Sequence, residues 1–389
     1  VAAPVMHHRL GQITLDTVAY GETRRIGGAS VSFHPAGHVP GSAQIRVEVD
    51  GEVWVVSGDY KTDADALSTP FEPIRCHAFI SECTFGLPVF NWLPEAEIAR
   101  QINDWWASNA RDGKFSLLGA YSLGKAQRVL TLLNPDIAPI LTHGAIENTN
   151  AVMRAQGIPL PGTIHVTPSL KAADHPGAIV MAPPSALGST WARRFRPAST
   201  SFASGWMRLR GVRRRRAVDR GFVISDHADW PGLNTAIAVT GAEKIIVTPG
   251  NTEIFSLYGL IDQTTKTNTK VAALADYFRT APDADRLWTI ALFSGRRPRR
   301  AITTTKLREW AAERAGIPLW LFEEAYPIVG DLAETIALVL PDATKSHDQG
   351  LAEWITHLRS LDAQEAEGRK TAILAAWHRM AALARLVFN

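Results

Sequence analysis

Near residue 252 the hydrophobic rhythm of the chain changes, and this switch limits the folds open to it more than any other feature. Before it, short apolar runs of strand length are interleaved with helical stretches. Ile45-Arg46-Val47-Glu48-Val49 alternates as a half-buried strand does, and Glu52-Val53-Trp54-Val55-Val56 follows the turn Asp50-Gly51. Val31 to Phe33, Ala78 to Ile80, Gly177 to Met181, Phe222 to Ile224 and Lys244 to Val247 read as further buried strands. Helices are expected around Glu95 to Ala107 and Lys125 to Leu133. Strands mixed with helices predict an α/β architecture.

After residue 252 only helical spacing remains. Val271, Leu274, Ala275 and Phe278 form one stripe, and Leu287, Ile290 and Ala291 a second that Gly295 closes. Leu307, Trp310 and Ala311 form a third, closed by Gly316. Leu332, Ile336, Val339 and Leu340 follow, with Asp331 as N-cap, then Leu351, Trp354, Ile355 and Leu358. A last helix is expected from Glu367 to Phe388. Trp288, Trp310, Trp320, Trp354 and Trp377 fall on these stripes and read as core. Pro249-Gly250-Asn251-Thr252 is a turn at the switch, not a flexible tether.

A length of 389 residues with 46% apolar content suggests two or three domains with sizeable cores. No apolar run is long enough to cross a bilayer, and Val1 to Leu10 lacks the basic start and long apolar stretch of a secretory signal. Two cysteines, Cys76 and Cys83, make neither a disulfide framework nor a zinc knuckle, so a reducing cytoplasm is expected. The net charge of +3 hides two basic stretches. Arg193, Arg194, Arg196, Arg208, Arg210, Arg213 to Arg216 and Arg220 make one, and Arg296, Arg297, Arg299 and Arg300 the other. Basic clusters on a nearly neutral chain suggest contact with a polyanion, with solvated surface as the plainer alternative.

Four residues at strand ends carry the chemistry. His38 in Gly37-His38-Val39-Pro40-Gly41-Ser42 and Asp59 in Ser57-Gly58-Asp59-Tyr60 are of the types that ligate zinc. Glu82 in Ser81-Glu82-Cys83-Thr84-Phe85-Gly86 and His227 in Ser225-Asp226-His227-Ala228-Asp229 suit a carboxylate–imidazole pair. Such a pair keeps the imidazole oriented and protonated as a general acid. Each residue alone is weak evidence; the force lies in their order, each beside an expected strand.

This order resembles the β-CASP branch of the metallo-β-lactamase nucleases. Tyr20-Gly21-Glu22, Phe85-Gly86-Leu87-Pro88, the run Gly119-Ala120-Tyr121-Ser122-Leu123-Gly124-Lys125-Ala126-Gln127-Arg128, Ala203-Ser204-Gly205-Trp206-Met207 and His227-Ala228-Asp229-Trp230 are similar to its ligase-associated DNA exonucleases. The resemblance implies an incomplete α/β metallo-β-lactamase-like sandwich at 1–90 and 222–252, with a β-CASP-like α/β lobe inserted at 91–221. It implies two zinc ions in the parent family, with His38 and Asp59 as ligands, Glu82 orienting His227, and His227 protonating the leaving group. Two departures bear on this. The family's opening His-x-His-x-Asp-His cluster does not occur here, and Thr248-Pro249-Gly250 stands where the family has Thr-His-Gly. A pair of donors cannot enclose zinc, which takes about four, so incompletely held zinc and impaired hydrolysis are expected. His7 and His8 are adjacent and their side chains would diverge. His34 reads as strand surface and His143 as structural.

From about residue 253 the chain resembles the N-terminal helical DNA-binding domain of bacterial ATP-dependent DNA ligases. The resemblance is carried by Thr267 to Leu274, Leu292 to Arg300, Leu307 to Ala311, Gly316 to Glu324 and Gly330 to Thr335. It implies an all-α domain at 253–389 that grips duplex around a nick. Arg296, Arg297, Arg299, Arg300 and Lys306 would contact phosphates, which position a protein without reading sequence. No Lys-x-Asp-Gly nucleophile motif occurs, so no ATP site is expected, and Lys125 does not lie in a phosphate loop. The whole reads as a bacterial, cytoplasmic DNA-repair polypeptide, either a fragment or a compact fusion. Its implied partners are DNA ends or nicks, the rest of a ligase and a repair helicase. Two alternatives stand beside it: an active exonuclease completed by residues outside the chain, and a remnant without function.

Overall fold

The computed structural model describes residues 2–216, 218–247, 282–284, 287, 302–341, 351–361 and 364–379. Its contacts divide the chain into two compact units, Val1–Gly86 with Phe90–Asp262 and Leu87–Val89 with Gln263–Asn389.

The first unit opens with α1 (Ala2–Leu10), followed by the strands β1 (Thr23–Ile26), β2 (Ala29–Pro35), β3 (Ala43–Val49), β4 (Glu52–Val56) and β5 (Ala78–Ser81). Then come α2 (Glu95–Arg111), β6 (Phe115–Gly119), α3 (Lys125–Leu132), β7 (Ile140–Thr142), α4 (Gly144–Arg154), β8 (Ile164–His165), β9 (Ile179–Ala182) and α5 (Pro184–Leu187). The unit closes with β10 (Ala198–Ala203), α6 (Arg210–Arg215), β11 (Arg220–Phe222), α7 (Trp230–Thr240) and β12 (Lys244–Val247).

These strands form two six-stranded sheets, in the orders β1-β2-β3-β4-β5-β12 and β11-β10-β6-β9-β7-β8. In the first sheet β1 to β4 pair antiparallel, and β4, β5 and β12 pair parallel. Asp50 and Gly51 both take positive φ in the β3–β4 hairpin, as a two-residue turn that follows strand twist requires. Val53, Val55, Phe79 and Tyr60 pack with Leu233 and Ala236 of α7 to fill the core on this sheet.

The second sheet is parallel throughout and covered on both faces. Leu118 of β6 faces Ile102, Trp106, Val129 and Ile146, while Phe115 and Leu117 face Leu141, Val180 and Phe195. Burial on both faces explains why β6 and β9 are buried along their whole length. The strand expected at Phe222 to Ile224 lies at Arg220–Phe222 instead, ending where its pairing with β10 ends at Ala203. Ile224 is buried for another reason, as part of the core under α2 and α3.

The second unit is helical where it is described: α8 (Thr304–Ala315), α9 (Leu319–Val329), α10 (Leu332–Val339), α11 (Leu351–Ser360) and α12 (Ala366–Arg379). Thr303 caps α8 and Gly316 closes it at φ +68°. Asp331 caps α10 by accepting from the Glu334 backbone N–H at 2.8 Å. Leu307, Phe322, Ile336, Ile373 and Trp377 share one core, and Trp310 packs against it. Trp320, expected in the core, is 65% exposed. It stands in the first turn of α9, whose buried face is Leu321, Phe322, Ala325 and Val329. The stripes at Val271 to Phe278 and Leu287 to Ala291, with Trp288, lie outside the described residues apart from Leu287, as does the Trp354 side chain. No described helix is long and apolar enough to cross a membrane. The chain is thus a mixed α/β body followed by helices.

Candidate active site

The topology of the first sheet explains why distant motifs meet. β2, β4 and β5 run in one direction, since β3 is antiparallel to both β2 and β4, and β4 pairs parallel with β5. Their carboxyl ends lie on one edge, where loops of such sheets carry ligands and chemistry. His38 follows β2, Asp59 follows β4 through Gly58, and Glu82 follows β5 directly. His227 arrives from the other sheet, between β11 and α7.

Short bonds fix Glu82, His227 and His38, whereas the Asp59 side chain is exposed. The His227 Nδ1 stands 2.9 Å from Glu82 Oε1. Glu82 also accepts from the backbone N–H groups of Tyr60 at 3.3 Å and Thr84 at 3.1 Å. Trp92 Nε1 donates to the His227 carbonyl at 3.0 Å, and its backbone N–H donates to Asp229 at 2.8 Å, which holds the loop from behind. His38 Nδ1 donates to the backbone carbonyl of Asp226 at 2.8 Å, so its Nε2 faces Asp59 Oδ2 at 3.9 Å. The two imidazole rings meet edge to face, with centroids 4.7 Å apart.

Electrostatics sharpen the pairing. Burial alone would raise the Glu82 carboxyl, but the hydrogen bond and charge of His227, with the Thr84 N–H, hold it below the ordinary range. Burial alone would lower His227, yet its bond to Glu82 and the charges of Glu82, Asp226 and Asp59 raise it above 6.5. The sign of the linkage follows. The raised histidine contributes stability that is full below its ordinary value and is lost as pH rises through the folded value. The depressed carboxyl contributes stability present above its ordinary 4.5 and lost as pH falls through the folded value. We expect Glu82→Gln to move the His227 titration midpoint downward, read from its imidazole resonances by NMR. An unmoved midpoint would show that Glu82 does not hold the charge.

Three residues to which no role was given in the sequence complete the site. Asp226 is buried, and its Oδ1 pairs with Lys125 Nζ at 2.9 Å while standing 4.0 Å from His227 Nε2. Lys125 and its neighbours hold the Asp226 carboxyl well below the usual range despite burial. One turn later on α3, Arg128 donates to the Ser225 carbonyl at 2.7 Å and pairs with Asp65. The second sheet therefore grips the 225–229 loop through α3. A signal was present in the run Gly119 to Arg128 and in Asp226 itself, but nothing in the sequence says that they touch.

Side chains able to hold a metal form two trios among the described residues, His38–Asp226–His227 and Asp59–Glu82–His227, with ligand atoms within 4.8 Å of one another. Prior engagement thins both. Asp226 is paired with Lys125, and Glu82 with His227. His38 Nε2 and the Asp59 carboxylate remain, 3.9 Å apart, while the charges that raise His227 favour its protonated ring, which has no lone pair to give an ion. Two donors do not fit an enclosed zinc, which takes about four. Neither trio includes His7 or His8. His34 lies on β2, bonded to Ser32 and Glu72, and His143 accepts from the Ala145 N–H as the cap of α4. Lys306 lies on α8, where its ammonium pairs with Glu309 at 2.7 Å. Arg296, Arg297, Arg299, Arg300 and Pro249 lie outside the described residues.

No family model matches the chain. Similarity to individual proteins does. A "Probable DNA ligase" of Opitutus terrae is 28% identical over 252 residues, 64% of this chain and 24% of that protein. The chain has ligase-named and nuclease-named relatives. "Endoribonuclease YSH1" of Yarrowia lipolytica is 30% identical over 122 residues, 31% of this chain and 14% of its own length. An "RNase J-like protein" of Methanocaldococcus jannaschii is 26% identical over 148 residues, 36% of this chain and 35% of its own. The chain thus spans about a third or less of each of these relatives. A solved protein of unknown function from Enterococcus faecalis V583 superposes over 61% of this chain and 62% of that one with a TM-score of 0.43 and 10% identity, a likeness too loose to bear on fold or function.

Proposed function

We propose that this chain is a nucleic-acid-processing polypeptide of DNA repair. In this reading 1–90 and 222–252 form a metallo-β-lactamase-like body, 91–221 a β-CASP-like lobe, and 253–389 a ligase-type DNA-binding domain. It binds DNA ends or nicks, and its zinc-dependent phosphodiester hydrolysis is impaired. The observation that carries the reading is the pairing of half-buried His227 with buried Glu82, 2.9 Å apart, on the same sheet edge as His38 and Asp59. Nuclease and ligase names among the relatives support the substrate class.

The chemistry of these residues is partial. Glu82 holds His227 through Nδ1 and favours the charged ring, and the proton on the opposite nitrogen, Nε2, is the one that a general acid so positioned can pass to a leaving oxygen. Lys125 neutralises Asp226, which would otherwise repel a phosphate. The donor set around His38 and Asp59 does not fit an enclosed ion, so no step is assigned to a metal. Binding through Lys and Arg to phosphates has a clear signature, a linear fall of log affinity with log salt.

The test is the purified chain, assayed for duplex-end and nick binding across salt, for zinc after dialysis, and for exonuclease activity, with His38→Ala alongside. We expect salt-dependent binding, zinc well below one ion per chain, and activity at background in both proteins. Stoichiometric zinc with activity that His38→Ala abolishes would replace the impaired reading with an active enzyme. Salt-independent or absent binding would remove the nucleic-acid reading altogether.

A further inference from the structure

We propose that Tyr121 is a stacking platform for an unpaired nucleobase at the end of a strand brought to the Glu82–His227 pair. This rests on the nucleic-acid reading above and adds a preference for frayed or tailed ends.

Tyr121 stands just past the carboxyl end of β6, in the loop that leads into α3. It is 46% exposed, whereas its ring neighbour Phe202 is buried. A single exposed aromatic is ordinary on a protein surface. This one is set apart by what holds it and by what lies beneath it. Its carbonyl accepts from the Ala126 N–H at 3.0 Å, so its backbone is fixed to the first turn of α3. Phe202 meets the ring edge to face, with centroids 6.2 Å apart and planes at 75°. Lys125 Nζ lies 5.2 Å from the ring centroid and is the same ammonium that pairs with Asp226, 4.0 Å from His227 Nε2. One lysine thus links the exposed ring to the residues around the imidazole. A ring on a fixed backbone loses little entropy on taking a partner.

The surroundings suit a polynucleotide. The Arg216 guanidinium lies over Phe202 at 4.6 Å, and that of Arg220 over Phe222 at 5.1 Å. Both belong to the basic stretch that runs through α6 to the edge strand β11. A positive track beside an exposed aromatic is how proteins hold single strands without reading sequence, since every base has a stackable face. Fully paired bases offer no such face, and the platform would distinguish tailed from blunt ends.

The experiment measures affinity of the full chain for a blunt duplex and for the same duplex with a short unpaired tail on either strand. It compares the unsubstituted protein with Tyr121→Ala, Tyr121→Phe and Tyr121→Trp. We expect tighter binding to a tailed duplex, a loss of roughly 5- to 150-fold for that duplex in Tyr121→Ala, little change on the blunt duplex, and recovery in the Phe and Trp variants. Equal loss on both duplexes would show that the ring only covers Lys125, and no loss on either would show no contact; each overturns the platform and leaves the proposed function standing. Failure of the unsubstituted protein to bind any of these DNAs overturns both.

Discussion

Arg128→Met is expected to destabilise the first unit by about 3–5 kcal/mol. The guanidinium and the Asp65 carboxylate are both nearly inaccessible, with side chains 3% and 4% exposed. Removing the cation strands a buried anion that is still held by the Leu67 and Ser68 backbone N–H groups at 2.8 and 2.7 Å. It also removes the donor to the Ser225 carbonyl, two residues before His227. The loss should appear in hydrogen exchange as faster opening of the segment 115–133, by more than about a hundredfold. Arg128→Met with Asp65→Asn should recover part of it, because the amide retains the turn acceptor without the charge. A loss under about 1 kcal/mol, within the range of an ordinary surface change, would mean that water reaches this pair and relieves it.

Gly37→Ala is expected to cost about 3 kcal/mol and to displace His38. Gly37 takes φ +72°, where a side chain is strained, and an added Cβ would lie 2.3 Å from the Lys61 carbonyl oxygen. That oxygen is backbone, and its strand-end loop is pinned by the Lys61 N–H donating to the Ala36 carbonyl at 3.0 Å. No rotamer change relieves such a contact. Gly51→Ala is the control, with φ +83° but nothing within 4 Å of its Cβ, so it carries the φ strain alone. Chemical denaturation of both variants, with the His38 ring resonances, separates strain from collision. Equal losses, or an unmoved His38, would show that the loop gives way.

The division into an α/β body and a helical remainder is legible from hydrophobic rhythm, because period 2 and period 3.6 leave different spacings of apolar residues. Lys244 to Val247 is a strand as read, and Asp331 caps its helix as read. The second sheet is less legible. β6 is buried at every residue and β10 passes from half-buried to buried along its length, so neither shows the alternation that marks a strand. The exposure of Trp320 shows the opposite error: a stripe names a face, but not the residue left at the helix start beyond its neighbours' reach.

The same split runs through the candidate site. His38, Asp59, Glu82 and His227 could be picked out because strand ends and turn residues mark themselves locally. Lys125 and Asp226 are 101 positions apart (226 less 125) and meet at 2.9 Å, a contact that no local spacing encodes. Propensity and periodicity act over a few residues, so the order of residues is enough to name the chemical groups and the elements that carry them. That Asp226 is taken by a lysine, Glu82 by a histidine and Asp65 by an arginine comes from packing alone. Charges spend themselves on whichever partner the fold brings within a few ångströms, and that proximity belongs to the packed chain.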